Sequence, residues 1–156
     1  MDINTLIDSL SKAVATDSAL ESFCDTKYGS SIKVFLNFDA RKPPEAADCP
    51  CVCIYPSQKE YGNGPYRDTV EIVCLINDDS TETISGYENI IAYAGVTNVE
   101  EMRKLVLAAA AGVIEATSSI SVEYDTITWF PFILVSQALE IITPYTIGSG
   151  DPATLE

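Results

Sequence analysis

The first thirty residues place apolar side chains at helical spacing. One apolar stripe with a period of about 3.6 residues predicts an amphipathic helix at the start of the chain. Its members are Ile3, Leu6, Ile7, Leu10 and Val14. Ser18 followed by Glu21 has the form of a capping box, in which two side chains satisfy backbone N–H groups at a helix start. This pair predicts a short second helix, which ends at Tyr28 and Gly29.

Alternation of apolar and polar residues then predicts three strands. The first covers residues 32–38, and its inward side chains are Ile32, Val34, Leu36 and Phe38. A loop over residues 41–50, punctuated by two prolines, leads to a second strand over 51–55. The third strand covers residues 68–76, and its inward side chains are Val70, Ile72, Cys74 and Ile76.

A tight turn is predicted at residues 62–65, because Asn and Gly tolerate the positive φ that hairpins need. The second and third strands then form a long antiparallel hairpin, whose tip, about residues 56–67, extends beyond the core. The tip carries residue types that are enriched in protein interfaces. An ordinary surface loop is the alternative. The predicted contact residues at the tip are Lys59, Glu60, Tyr61, Tyr66 and Arg67.

Residues 77–83 predict a polar loop, and Asp78 and Asp79 complete the predicted set of partner contacts. Residues 84–95 fit a strand and a helix equally well. Their apolar residues are Ile84, Tyr87, Ile90, Ile91 and Tyr93.

A long helix is predicted over residues 98–117. Thr97 and Glu100 have the spacing of a second capping box, and Glu100 and Lys104 form a supporting i,i+4 pair. The alanine run 108–111 permits a close approach to the sheet. The predicted buried stripe is Val99, Met102, Val106, Ala109 and Val113.

Two more strands close the chain, the fourth from about residue 120 to 130 and the fifth over 132–143. For Trp129 to Phe132 we prefer a core and sheet-edge position over an interface, because aromatic residues are mostly buried. The pattern predicts an α+β fold: a single, mostly antiparallel sheet of about five strands with helices on one face. Residues 1–147 form one domain, and 148–156 form a loose tail.

Charge narrows the classes of function. The 156 residues include 23 acidic and 9 basic side chains and no histidine, for a formal charge of -14. Such a chain repels phosphate backbones and anionic lipids, so we expect no specific nucleic-acid binding and no membrane binding. The start of the chain has no positive region typical of a signal peptide. We therefore expect a reducing, cytoplasmic environment for its five cysteines.

The candidates for chemistry are weak. Cys49, Cys51 and Cys53 are two residues apart along a strand, which separates them too far for shared zinc ligation. The acidic loop 78–82 lacks the glycine-bearing spacing of an EF-hand. The common nucleophile–base pairs, in which histidine activates a serine or a cysteine, are not possible without histidine. No glycine-rich phosphate loop is present either. We expect no enzyme activity, no metal and no cofactor.

The order of parts resembles the tail terminator proteins of long-tailed bacteriophages, also called tail completion or minor tail proteins. An N-terminal helix leads to a strand, and a strand ending in proline, Cys51 to Pro56, is followed by a polar excursion through Tyr61 and Gly62. One long helix then precedes two closing strands with an aromatic–proline junction at Trp129 to Pro131. The cysteine string and residues 84–95 are not part of the shared pattern.

The resemblance implies a structural virion protein that assembles in the host cytoplasm. Copies of the chain form a ring, a hexamer, which caps the tail tube and ends its polymerisation. The ring contacts the tail-tube protein and the head-connector protein, and an acidic lumen keeps passing DNA from adhering. A small-molecule-binding or metal- or thiol-dependent cytoplasmic domain is the alternative.

Overall fold

The computed structural model describes residues 2–37, 41–60, 66–114 and 118–143. Its three α-helices are α1 (Ile3–Thr16), α2 (Ser18–Tyr28) and α3 (Ala94–Ala111). A short 3-10 helix covers Ala46–Asp48. Its strands are β1 (Lys33–Leu36), β2 (Cys51–Glu60), β3 (Tyr66–Asn77), β4 (Thr81–Ile84), β5 (Tyr87–Tyr93), β6 (Ser118–Asp125) and β7 (Phe132–Thr143).

The chain is α+β, as predicted, but it does not form a single antiparallel sheet. A five-stranded sheet has the order β1-β2-β3-β7-β6, and β4 and β5 form a separate two-stranded sheet. β1 runs parallel to β2, whereas the other neighbours in the large sheet are antiparallel. The parallel pair is possible because residues 37–50 give the chain enough length to return to the starting end of the sheet.

The core lies between the helices and one face of the large sheet. All three helices contribute side chains to one hydrophobic cluster, among them Leu10, Leu20 and Met102. Alternate residues of β3 face them, and the predicted inward set of Val70, Ile72, Cys74 and Ile76 is fully buried. The predicted stripe of α3 is confirmed for Val99, Met102, Val106 and Ala109, while Val113 is partly buried beyond the helix end.

Both predicted helix starts are displaced. Asp17 caps α2, since its carboxylate accepts a hydrogen bond of 2.8 Å from the backbone N–H of Leu20. Residue Ser18 is therefore the first helical position. α3 begins at Ala94, three residues before Thr97, so Thr97 and Glu100 form no capping box. The predicted end of α2 is confirmed, because Gly29 closes the helix with a positive φ of 63°.

The β2–β3 hairpin is antiparallel, as predicted, but it does not extend alone beyond the core. β7 pairs with β3 along its whole length, from Tyr66 opposite Thr143 to Asn77 opposite Phe132. The hairpin is therefore two strands of a wider sheet. Its predicted turn at 62–65 and the predicted tail at 148–156 lie outside the described residues, as does Phe38.

Three other predictions need correction. Residues 77–83 are not only a loop, since β4 begins at Thr81. Leu36 lies at the end of β1 and is exposed rather than buried. The fourth strand ends at Asp125 and is followed by a turn, while the fifth strand has the predicted bounds.

Candidate protein-interaction site

The β4–β5 hairpin exposes large apolar side chains on both of its faces. Every described residue from Thr81 to Ile91 is exposed, and the side chain of Ile91 has an exposed fraction of 65%. Apolar side chains concentrated on one exposed element mark a contact site more often than scattered ones do. The exposed members of this apolar ridge are Ile84, Tyr87, Ile90, Ile91 and Tyr93.

Local sequence explains why a hairpin forms here. Gly86 adopts a φ of 84°, which the turn between the strands requires and which side-chain-bearing residues rarely adopt. The strands pair from Thr81 opposite Tyr93 to Ile84 opposite Tyr87, with an irregularity after Thr83. An isolated two-stranded hairpin is marginally stable in water. A partner that covers the apolar ridge would therefore also stabilise the hairpin.

The base of the hairpin meets the turn before β7. The rings of Tyr93 and Phe130 pack edge to face with centroids 5.6 Å apart. Phe130 shares this turn with Ile127 and Trp129, which are also exposed. The core position predicted for Trp129 is therefore wrong, since its side chain has an exposed fraction of 65%. The turn continues the apolar ridge towards the other face of the large sheet.

An apolar groove lies on the face of the large sheet that the helices leave uncovered. It has a volume of about 530 Å³. Its floor comes from β2, β3 and β7, and its walls come from the proline loop on one side and Trp129 on the other. The lining residues include Pro43, Pro44, Tyr55, Leu75, Trp129 and Leu134.

Charges of both signs lie in the loop that forms the proline wall of the groove. Arg41 and Lys42 directly precede the two prolines of the wall. Lys33 donates a hydrogen bond of 2.9 Å to Asp48 in the same loop. A backbone hydrogen bond from Glu45 lowers the pKa of Asp48, and the charges of Lys33 and Lys42 lower it further. The margin formed by Arg41 and Lys42 is called the basic margin below.

A second, more open cavity of about 560 Å³ adjoins the groove and shares Leu134 and Ser136 with it. Two carboxylates of β6, Glu123 and Asp125, line this cavity. Asp125 also accepts a hydrogen bond of 3.0 Å from the backbone N–H of Thr128 in the following turn. The sheet face is therefore acidic on the β6 side, whereas the proline loop carries both cations, Arg41 and Lys42, and carboxylates, Glu45 and Asp48.

Three of the predicted contact residues, Lys59, Glu60 and Arg67, lie at the far end of the β2–β3 hairpin. Lys59 and Glu60 end β2 and are exposed, and Glu60 pairs in register with Arg67. Arg67 is exposed and lies 3.9 Å from the carboxylate of Glu140. Tyr61 lies outside the described residues, and Tyr66 begins β3. Contact of this group with a partner stays a prediction.

Asp78 and Asp79 lie at the opposite end of β3 and differ from each other. Asp79 is exposed, whereas Asp78 is buried and fully engaged within the chain. One carboxylate oxygen of Asp78 accepts hydrogen bonds from Tyr28 and from Asn98, and the other accepts from Ser80. Burial alone would raise the pKa of Asp78, but these hydrogen bonds outweigh it and lower the pKa. The buried carboxylate joins α2, β3 and α3, so its position is that of a structural residue.

A charged network ties α3 to the sheet. Arg103 makes two hydrogen bonds to Glu100, the shorter of 2.7 Å, and a third of 3.3 Å to the buried side chain of Gln137. Tyr124 donates to Glu100 at 2.7 Å. The hydrogen bonds from Arg103 lower the pKa of Glu100 to about 2. Glu100 is therefore held as an anion, which makes it a poor general base. The predicted pair of Glu100 and Lys104 is the longest contact of this network, with 4.0 Å between the Glu100 carboxylate and Lys104 Nζ.

The cysteines are all free thiols. Cys24, Cys51, Cys53 and Cys74 are buried, and Cys49 is partly exposed. Hydrogen bonds with Cys49 and Cys53, together with burial, raise the pKa of Cys51, and the contact with Cys51 lowers the pKa of Cys49. Within the described ranges no three metal-binding side chains are grouped to hold an ion. No described helix is both long enough and apolar enough to cross a membrane.

No protein-family model matches the chain, and no curated protein is significantly similar to it.

Proposed function

We propose that the chain is a structural subunit of a bacteriophage tail, which self-associates into a ring that caps the tail tube. The observation that carries this proposal is the apolar ridge on the β4–β5 hairpin, which nothing in the described chain covers. A protein that works by assembly needs such surfaces and needs no reactive site.

The order of elements supports the same function. The helix, strand, long hairpin, long helix and two closing strands on which the resemblance rests have counterparts in the fold, from α1 to β7. The ring ends tube polymerisation and offers its other side to the head connector. Acidic side chains facing the lumen repel DNA, so that the passing genome does not adhere.

The charged network around Glu100 is consistent with a structural role. Its carboxylate is neutralised by Arg103 and hydrogen-bonded by Tyr124, so it holds α3 against β6 rather than facing a substrate. The buried Asp78 connects other elements in the same way.

The proposal is tested by native mass spectrometry of the full chain, alone and with a phage tail-tube protein. We expect closed rings of identical subunits, or rings that form once the tube protein is added. A chain that remains monomeric at high concentration and ignores tube subunits would refute the proposed function.

The groove favours a second candidate, binding of an apolar small molecule. Its volume of about 530 Å³ lies within the range of ligand pockets, and most of its lining is apolar. Saturation-transfer NMR against a set of small apolar compounds tests this alternative. Binding that is lost in Leu75→Asp, with the fold intact, would favour it.

A further inference from the structure

We propose that the β4–β5 hairpin of one copy docks into the apolar groove of a second copy, beside its basic margin. This inference rests on the proposed function, because it names the contact by which the ring closes. Both surfaces are exposed in the single chain, and one protrudes while the other is concave. Each of them gains stability by being covered, since apolar area is removed from water.

The two surfaces are made of different residues. The ridge belongs to residues 84–93, and the groove belongs to the proline loop, the sheet face and Trp129. A contact between unlike patches is heterologous, so every copy has one ridge to offer and one groove to fill. Such contacts generate rings when the rotation closes. A ridge-to-groove contact is thus the type that a tube-capping ring requires.

The charges favour docking of a ridge into a groove over pairing of two ridges. No Lys or Arg occurs between Arg67 and Arg103, and the hairpin itself carries Glu82 and Glu88. Pairing two ridges would place these carboxylates together without a compensating cation, which is unfavourable. The groove instead is walled by Pro43, which Lys42 directly precedes. Of the two carboxylates in that loop, Asp48 is already paired with Lys33.

The same charges orient the docked hairpin. Glu123 and Asp125 make the β6 side of the sheet face acidic, so they repel Glu82 and Glu88. The hairpin carboxylates are therefore expected to lie towards the proline loop. Because the whole chain carries a charge of -14, copies repel one another at long range. Local complementarity at Lys42 then decides which surfaces meet.

Cross-linking in the full chain tests the contact. Photoreactive p-benzoylphenylalanine replaces Tyr87, an exposed aromatic residue of the ridge, and the labelled protein is mixed with a copy grown on heavy nitrogen. Cross-linked peptides of mixed isotope content report contacts between copies. We expect them to join the hairpin to residues 41–55 or 129–136. Assembly in which the links join two hairpins, or reach other surfaces, would overturn the inference while leaving ring formation standing.

Matched variants test the two surfaces separately. Ile91→Asp should weaken self-association by at least about tenfold, as expected for a buried interface anchor. Leu36→Asp places the same charge on an exposed apolar residue of β1, on the helix side of the sheet, and should leave association unchanged. Lys42→Glu should weaken it, whereas Lys27→Glu on α2 should not. If Ile91→Asp weakened self-association no more than Leu36→Asp does, the ridge would not be the contact surface. If Lys42→Glu weakened it no more than Lys27→Glu does, the groove margin would not be part of the contact.

Tryptophan emission gives a readout that does not depend on a variant. Trp129 is the only tryptophan, and it forms a wall of the groove. Docking should shift its emission to shorter wavelength and reduce quenching by acrylamide as the copies assemble. Assembly with unchanged emission would show that the groove stays open and would overturn the inference. Absence of any assembly, with or without tube protein, would refute the proposed function together with it.

Discussion

The phenolic hydroxyl of Tyr28 donates a hydrogen bond of 2.8 Å to the carboxylate of Asp78, which lies fifty residues further along the chain. This bond links the end of α2 to the end of β3. Asn98 donates to the same carboxylate oxygen from α3, at 3.2 Å. The three groups fix the corner of the domain from which the β4–β5 hairpin projects. Asp78 therefore belongs to the structure that positions the proposed interface.

Removing the Tyr28 hydroxyl tests whether its hydrogen bond to Asp78 stabilises this corner. Tyr28→Phe should lower the free energy of unfolding by about 1.5–3 kcal/mol, because it removes a hydrogen bond to a charged group and leaves the rest of the ring in place. Chemical denaturation of the full chain measures the change. Tyr87→Phe is the control, since its side chain is exposed, and it should change the stability by less than about 0.5 kcal/mol. Equal stability of both variants would show that Asp78 does not hold the corner.

Gly95 gives a second test of the same corner. A Cβ at this position would collide with the buried Cδ1 of Ile133 and would lie 3.2 Å from the carbonyl oxygen of Asp78. Gly95→Ala should therefore lower the free energy of unfolding by about 1–3 kcal/mol, the cost of overpacking.

Gly112→Ala is the matched control, because its nearest neighbour would be the Ala109 carbonyl oxygen at an ordinary 3.5 Å. It should be neutral or slightly stabilising, through the reduced entropy of the unfolded chain. Thermal unfolding of Gly95→Ala and Gly112→Ala under the same conditions measures the difference in stability between them. A Gly95→Ala variant as stable as Gly112→Ala would mean that Ile133 can move aside.

Glu100 predicts a pH dependence. Its pKa is lowered to about 2 in the folded chain, so the stabilisation from its ion pair with Arg103 is fully present above the pKa of the unfolded chain, about 4.3. It is lost as the pH falls from that value towards 2. Glu100→Gln should cost about 1–2 kcal/mol near neutral pH, a figure discounted for partial exposure.

The measurement is the difference in unfolding free energy between wild type and Glu100→Gln across pH 2–7. This difference should narrow as the pH drops, because protonation removes the wild-type advantage. Glu101→Gln changes an exposed neighbour by the same chemistry and should show no such trend. A difference that is constant with pH would contradict the ion pair as its source.

The thiols should react in two classes. Cys49 is partly exposed and its pKa is lowered, so its thiolate should react first with a disulfide reagent such as Ellman's reagent. Burial raises the pKa of Cys74 to about 12 and that of Cys24 to about 11, which makes both slow. One thiol per chain should react rapidly in the native protein, and Cys49→Ser should abolish that phase. Several rapid thiols would instead favour the thiol-dependent alternative.

Sequence patterning predicted the elements whose burial follows their period. In β3 the four residues predicted to face inward, Val70, Ile72, Cys74 and Ile76, are buried towards the helices, and β7 has the predicted bounds. α1 has a narrow apolar stripe ending at Val14. In each case one buried face dictates the register, so the sequence carries the information.

The other features of the fold and of the candidate site depend on contacts between distant parts of the chain, which no local sequence pattern indicates. The large apolar residues of 84–93 are exposed, so their spacing indicates neither a buried strand nor a buried helix, and the sequence does not predict the hairpin. The parallel pairing of β1 with β2 is not indicated by the apolar pattern of either strand. Thr97 and Glu100 have capping-box spacing, yet Glu100 bonds to Arg103 and Tyr124 instead. The groove unites β2, β3, β7 and the proline loop, which are far apart in sequence.

The central claim, that this chain ends tail-tube growth by forming a ring on it, is tested most directly by negative-stain electron microscopy of tube protein polymerised with the purified chain. We predict tubes that shorten as the chain is added, each with a ring at one end, and unrestricted tubes when Ile91→Asp is used instead. Tubes of undiminished length, with the wild-type chain absent from their ends, would contradict the account.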